Sequence, residues 1–143
     1  MTVVLDAAPL VAVADRRDRL RSVVEAVLRE EPGELVLPAP VAAEVDYLLG
    51  RRLGRGARLA FIEDLAAGRF LVAHLEPDEY GLIAGLEHRY ESVDAGLADL
   101  SVVITAHRHQ TRRLLTFDER HFRKLRPLDR GRFTLLPADE PRH

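Results

Sequence analysis

Four carboxylates stand where apolar runs end or apolar helices begin. Asp6 closes the run Val3-Val4-Leu5 in VVLDAAPL, and Glu44 lies early in PVAAEVDYLL. Asp99 sits in GLADLSVVITA, and Asp118 follows Leu114-Leu115-Thr116 in LLTFDERHF. Carboxylates gathered at one place repel one another unless a cation neutralises them or some are protonated. Oxygen ligands in a chain without cysteine suit Mg²⁺ or Mn²⁺. Each acid also has an ordinary role open to it. Asp6 could cap a helix, Glu44 could be a solvated helix residue, Asp99 could complement a helix dipole, and Asp118 could open a turn before Glu119-Arg120-His121-Phe122. Asp94, five residues before Asp99, is either an auxiliary acid of the same rim or a loop residue.

What decides between these roles is where the intervening elements carry the acids. Val3 to Leu5 reads as a short buried strand. Leu20, Val23, Val24, Val27 and Leu28 then fall at helical spacing behind Asp15, and Pro32-Gly33 ends that helix. Leu35-Val36-Leu37 is a second strand closed by Pro38. Pro40 suits the first turn of a helix carrying Val41, Val45, Leu48 and Leu49, which Gly54 and Gly56 break. Leu59, Ile62 and Leu65 mark another helix ending at Gly68. Phe70-Leu71-Val72 is a third strand, and Pro77-Asp78-Glu79 opens a helix with negative charge at its positive end. Tyr80, Ile83 and Leu86 would face inward from it. Leu97, Leu100, Val103 and Ile104 define a long apolar helix face. Leu114-Leu115-Thr116 and Phe133-Thr134-Leu135-Leu136 are the fourth and fifth strands. Alternating strands and helices predict an α/β fold with a mostly parallel sheet and helices on both faces. In such sheets sites gather outside the carboxyl ends of the strands, and all four acids would be drawn to that rim.

The chain has 143 residues, 47% of them apolar, enough for one domain with a real core. We take residues 1–136 as that domain and 137–143, PADEPRH, as a polar, frayed tail. The absence of cysteine excludes disulfides and cysteine-ligated zinc. No apolar run approaches the roughly 18 residues that cross a bilayer, and Asp6, Asp15, Arg16 and Arg17 interrupt any signal-peptide pattern. A soluble, cytoplasmic protein without a membrane partner is expected. The formal charge of −2 weighs against a strongly basic nucleic-acid binder. Lys124 is the only lysine. Arginine in its place fits a GC-rich genome, and guanidinium forks also suit phosphate oxygens. Arg112, Arg113, Arg120, Arg123, Lys124 and Arg126 flank the fourth strand, where they either grip phosphate oxygens or remain solvated.

VVLDAAPL, PVAAEVDYLL, GLADLSVVITA and LLTFDERHF, in this order and at this spacing from Val3 to Leu136, resemble the PIN domain, specifically the VapC-type ribonuclease toxins of bacterial toxin–antitoxin pairs. The resemblance implies a Rossmann-like, three-layer α/β/α domain with a five-stranded sheet. It implies a Mg²⁺-dependent endoribonuclease (Mn²⁺ possible) that cleaves tRNA or ribosomal RNA to inhibit translation. It also implies a homodimer and a VapB-like antitoxin. The family's acids fall on Asp6, Glu44, Asp99 and Asp118 as metal-site and catalytic residues. Asp6 and Asp99 are expected as direct ligands. Asp118 would complete the shell, and Glu44 would orient or deprotonate the attacking water. One departure is Ala7, where the family often carries a hydroxyl; Thr116 matches a common position before the last Asp.

Two alternatives within the same fold are a catalytically silent PIN-like binding module and a DNA-directed PIN-like nuclease. An aspartyl-phosphate enzyme fits poorly, because Ala8 occupies the place of its second Asp. The histidines, His74, His88, His107, His109, His121 and His143, form no HExxH-type pair and are expected to be solvated or capping.

Overall fold

The computed structural model describes residues 2–140. Five strands form where the apolar runs placed them: β1 (Val3–Leu5), β2 (Leu35–Pro38), β3 (Leu71–Ala73), β4 (Arg113–Leu115) and β5 (Thr134–Leu136). They make one sheet in the order β3-β2-β1-β4-β5. Every neighbouring pair is parallel, with Val4 of β1 opposite Val36 on one side and Leu114 on the other. Parallel strands need crossovers, and helices supply them. These are α1 (Ala7–Ala14), α2 (Arg21–Glu30), α3 (Ala39–Arg52), α4 (Arg55–Ala66), α5 (Pro77–Arg89), α6 (Leu97–Arg108) and the short α7 (Glu119–Phe122). The result is a three-layer α/β/α arrangement.

The central strands β1, β2 and β4 are continuous apolar runs because both their faces are covered. Val3, Val4, Leu5, Val36, Leu37, Leu114 and Leu115 are completely buried, together with Val24, Val41, Val45, Leu49, Leu100 and Ile104 from the helices. At the sheet edge, β3 leaves Leu71 and Val72 exposed. Gly54 separates α3 from α4 with φ +97°, a backbone conformation that side-chain-bearing residues rarely adopt. At α5, Glu76 and Glu79 form a reciprocal capping box around Pro77.

Three expectations need correction. Helix α1 escaped the periodicity because Ala7, Pro9, Leu10, Val11 and Ala12 are all buried. A segment covered nearly all round shows no polar face. Leu97, Leu59, Ile62 and Tyr80 carry the helical spacing but are exposed; α4 buries Phe61, α5 buries Ile83 and Leu86, and α6 buries Leu100 and the residues that follow it to Ala106. The tail is not frayed as far as it is described. Asp139 accepts from the Leu135 amide at 2.8 Å and binds the Arg123 guanidinium at 2.6 and 2.7 Å. Residues 141–143 lie outside the described residues.

The strand order fixes where a site can form. From β1 the chain builds outward to β2 and β3, then returns to the other side of β1 for β4 and β5. The order therefore reverses between β1 and β4, and a crevice opens at their carboxyl ends. Asp6 is the first residue after β1, and Thr116 the first after β4.

Candidate metal centre

Asp6 occupies the N-cap position of α1, yet its carboxylate makes no capping hydrogen bond. It turns instead across the switch point, where Thr116 donates its hydroxyl hydrogen to Asp6 Oδ2 at 2.6 Å. The same Thr116 oxygen accepts from the Asp118 backbone N–H at 3.0 Å. One buried hydroxyl thus ties the ends of β1 and β4 together. Thr116→Val is expected to destabilise the fold by about 1–3 kcal/mol, because it strips a buried carboxylate and a backbone amide of their partner. Thr116→Ser should melt close to the parent, and equal melting of all three proteins would rule out this link.

The other acids converge on the same crevice from different elements. Glu44 projects from α3, which packs against α6, and Asp99 lies in the first turn of α6. Burial pushes the Asp6 carboxyl up to about 6, partly opposed by the Thr116 hydrogen bond and reinforced by the negative charges of Asp99 and Glu44. Burial likewise raises Glu44, with Asp99 adding to it. Asp99 is raised by burial and by Asp118, against the lowering effect of His121. Each acid feels its neighbour, so Glu44, Asp6, Asp99 and Asp118 form one field of mutual repulsion around Asp99.

His121 stands in that field, and sequence reasoning missed it. Its Nδ1 lies 2.9 Å from Asp99 Oδ2 and 2.8 Å from Asp118 Oδ2. The other oxygen of Asp118 caps α7 by accepting from the His121 backbone N–H at 2.9 Å. Asp99, Asp118 and His121 are the group among the described residues whose ligand atoms all lie within 4.8 Å of one another. A lone histidine without a partner at helical spacing carries no motif. The available signal was its place three residues after Asp118, in the first turn of a capped helix. Asp94 is exposed, ends a short 3-10 turn with φ 54°, and makes no contact with this group. His143 lies outside the described residues.

The basic residues around β4 divide. Arg112 pairs with Asp129, Arg113 with Glu31 and Glu140, and Arg123 with Glu119 and Asp139, so these three hold the fold. Arg120, Lys124 and Arg126 are exposed and have no carboxylate partner among the described residues.

Comparison with known proteins gives three results. The family model described as PIN domain matches residues 3–127. The chain is 35% identical over 134 residues to Ribonuclease VapC26 of Mycobacterium tuberculosis (strain ATCC 25618 / H37Rv), covering 94% of this chain and 99% of that protein. In fold it is similar to the crystal structure of Mycobacterium tuberculosis VapC20, described as a Sarcin-Ricin loop cleaving toxin. The TM-score is 0.75 at 17% identity, over 81% of this chain and 89% of that one.

Proposed function

Since the chain belongs to the PIN domain family, we propose that it is a divalent-metal-dependent endoribonuclease and the toxin of a VapBC-type pair, acting on a structured RNA of the translation machinery. The observation that carries this is the convergence of Asp6, Glu44, Asp99 and Asp118 at the switch point between β1 and β4, each acid in the field of the next.

The donor set fits a small divalent cation. Three of the acids are held above their ordinary protonation range by burial and like charge, and a cation relieves both. Asp99 and Asp118 would hold it, with Asp6 beside them, as Mg²⁺ or Mn²⁺. When bound, such an ion neutralises charge on the phosphate and makes a nearby water more acidic. Glu44, the least buried of the three raised acids, would orient the attacking water and take its proton at a carboxylate oxygen. Thr116 keeps the Asp6 and Asp118 segments in register. Arg120, Lys124 and Arg126 would receive the RNA phosphates.

An antitoxin of the VapB type is the proposed partner. A groove of about 790 Å³ runs between α1, α2 and α4, lined by Leu10, Val13, Leu28 and Phe61 and edged by Arg16 and by the Arg21–Glu25 and Arg69–Asp64 ion pairs. It fits a segment offering apolar side chains. The protein alone is proposed to be a homodimer, since Leu59 and Ile62 on α4 and Tyr80 and Leu82 on α5 remain outside the core. Light scattering at micromolar concentration should give twice the chain mass; a clean monomer would remove the homodimer and leave the antitoxin groove standing.

Mapping of RNA 5′ ends in cells after brief induction tests the whole assignment. New ends should cluster at one or a few positions of a tRNA or ribosomal RNA loop. An unchanged map during growth arrest would contradict it.

A further inference from the structure

The geometry points to His121 as a nitrogen ligand of the cation, making this a mixed oxygen–nitrogen centre that prefers Mn²⁺ over Mg²⁺. This deepens the function proposed above and rests on it. The four acids alone would make an all-oxygen site, for which Mg²⁺ is a natural occupant. The fifth side chain changes the chemistry.

Three features of His121 carry the inference. The first is spacing: its Nδ1 is 2.9 Å from Asp99 Oδ2 and 2.8 Å from Asp118 Oδ2. Ligand atoms about 2.1 Å from a six-coordinate ion lie about 3.0 Å apart along the edges of an octahedron. The two distances from Nδ1 already match that separation. The second is that hydrogen bonding accounts for only one of the two contacts. Nδ1 and Asp99 Oδ2 have hydrogen-bond geometry, whereas Asp118 Oδ2 is as close without it. The nitrogen thus faces both carboxylates at once, as a ligand sharing a cation with them must. The third is preorganisation. The His121 backbone N–H is held by Asp118 Oδ1, and its neighbour Phe122 is locked in the core edge-on to Phe133. The imidazole therefore reaches the carboxylates at little further entropic cost.

Imidazole nitrogen is a borderline donor that first-row transition ions accept readily, while Mg²⁺ favours hard oxygen and keeps its waters. A site with Asp99, Asp118 and His121 as its nearest donors should discriminate between the two ions.

Pulsed electron paramagnetic resonance of the full-length protein loaded with Mn²⁺ reads the ligand directly. Nitrogen-14 modulation from a directly bound imidazole is expected, and it should vanish in His121→Gln. By titration calorimetry, His121→Gln should weaken Mn²⁺ about tenfold or more and change Mg²⁺ by less than about threefold. His121→Asn, which offers an amide oxygen near the former nitrogen, should narrow the preference for Mn²⁺. Mn²⁺ that binds, is lost in Asp99→Asn and shows no nitrogen coupling would overturn the ligand role of His121 while leaving the metal centre in place. Coupling that persists in His121→Gln would overturn it equally. Failure of the wild-type protein to bind either ion would overturn the proposed function itself.

Discussion

Asp99→Asn should fold and melt at or above the parent in EDTA but cleave RNA about a thousandfold more slowly, a loss of roughly 4 kcal/mol in transition-state stabilisation. Asp99 is singled out because it interacts with each of the other three acids and with His121. Its charge acts on both Asp6 and Glu44, it feels the charge of Asp118, and its Oδ2 meets His121. The amide keeps an acceptor for His121 and nearly the same volume, so the side chain's packing survives. What disappears is the negative charge that would hold the cation. A folded variant with near-normal, EDTA-sensitive activity would move the centre away from Asp99.

The second large effect is on stability, and its sign is opposite to that of most active-site substitutions. Asp6→Asn should melt above the parent in EDTA at neutral pH, by about 0.5–2 kcal/mol. Burial raises the Asp6 carboxyl from its ordinary 3.8 to about 6, so the folded chain holds that proton more tightly than the unfolded one. The favourable contribution is complete below the unfolded value and is lost as pH rises through about 6; above it the native state carries a buried charge. The shift corresponds to a contribution on the order of 2–3 kcal/mol. Asn loses part of the benefit, because its amide hydrogens need partners in a pocket where Thr116 supplies only a donor. Glu44 and Asp99 are shifted in the same direction, so the metal-free parent should lose stability between about pH 4 and pH 6. The variant should lose less. Asp139 has the opposite sign, but Arg123 holds it at about 2, so its contribution is lost only in more acidic solution. Added Mg²⁺ or Mn²⁺ should raise the parent more than the variant, because binding to the native state stabilises by mass action. Equal pH profiles and equal metal shifts would return Asp6 to the role of an ordinary helix cap.

The strands were legible because they are short apolar runs bounded by Pro, Gly and charge. With β1, β2 and β4 buried on both faces, their order along the chain already implied parallel pairing. Helix α1 was not legible. Its burial from nearly every side erased the polar face on which periodicity depends, so AAPLVAVA gave no helical signal. Leu97 and Leu59 misled for the opposite reason: spacing shows that apolar residues share a face but not whether anything covers it. At the site, Asp6 and Asp118 could be picked out at the ends of apolar runs, and Asp99 and Glu44 in the first two turns of apolar helices. Their gathering at one rim followed from the alternation of strands and helices, but which side chains meet there comes from the reversal of strand order between β1 and β4 and from the packing of α3 on α6. Thr116 and His121 depend wholly on that closeness. Thr116 reaches an aspartate 110 positions earlier in the chain, and His121 meets Asp99 across 22 positions. Neither contact leaves a local pattern to read.

The central claim is that the acids at this switch point hydrolyse RNA. The most direct measurement is gel-resolved cleavage of total RNA by the purified protein as Mn²⁺ or Mg²⁺ is titrated in, with the folded Asp99→Asn protein run in parallel. The account predicts discrete fragments that appear with metal, stop on EDTA addition and are absent from the Asp99→Asn lanes. Metal binding without any fragment, or fragments equally abundant in the Asp99→Asn lanes, would contradict it.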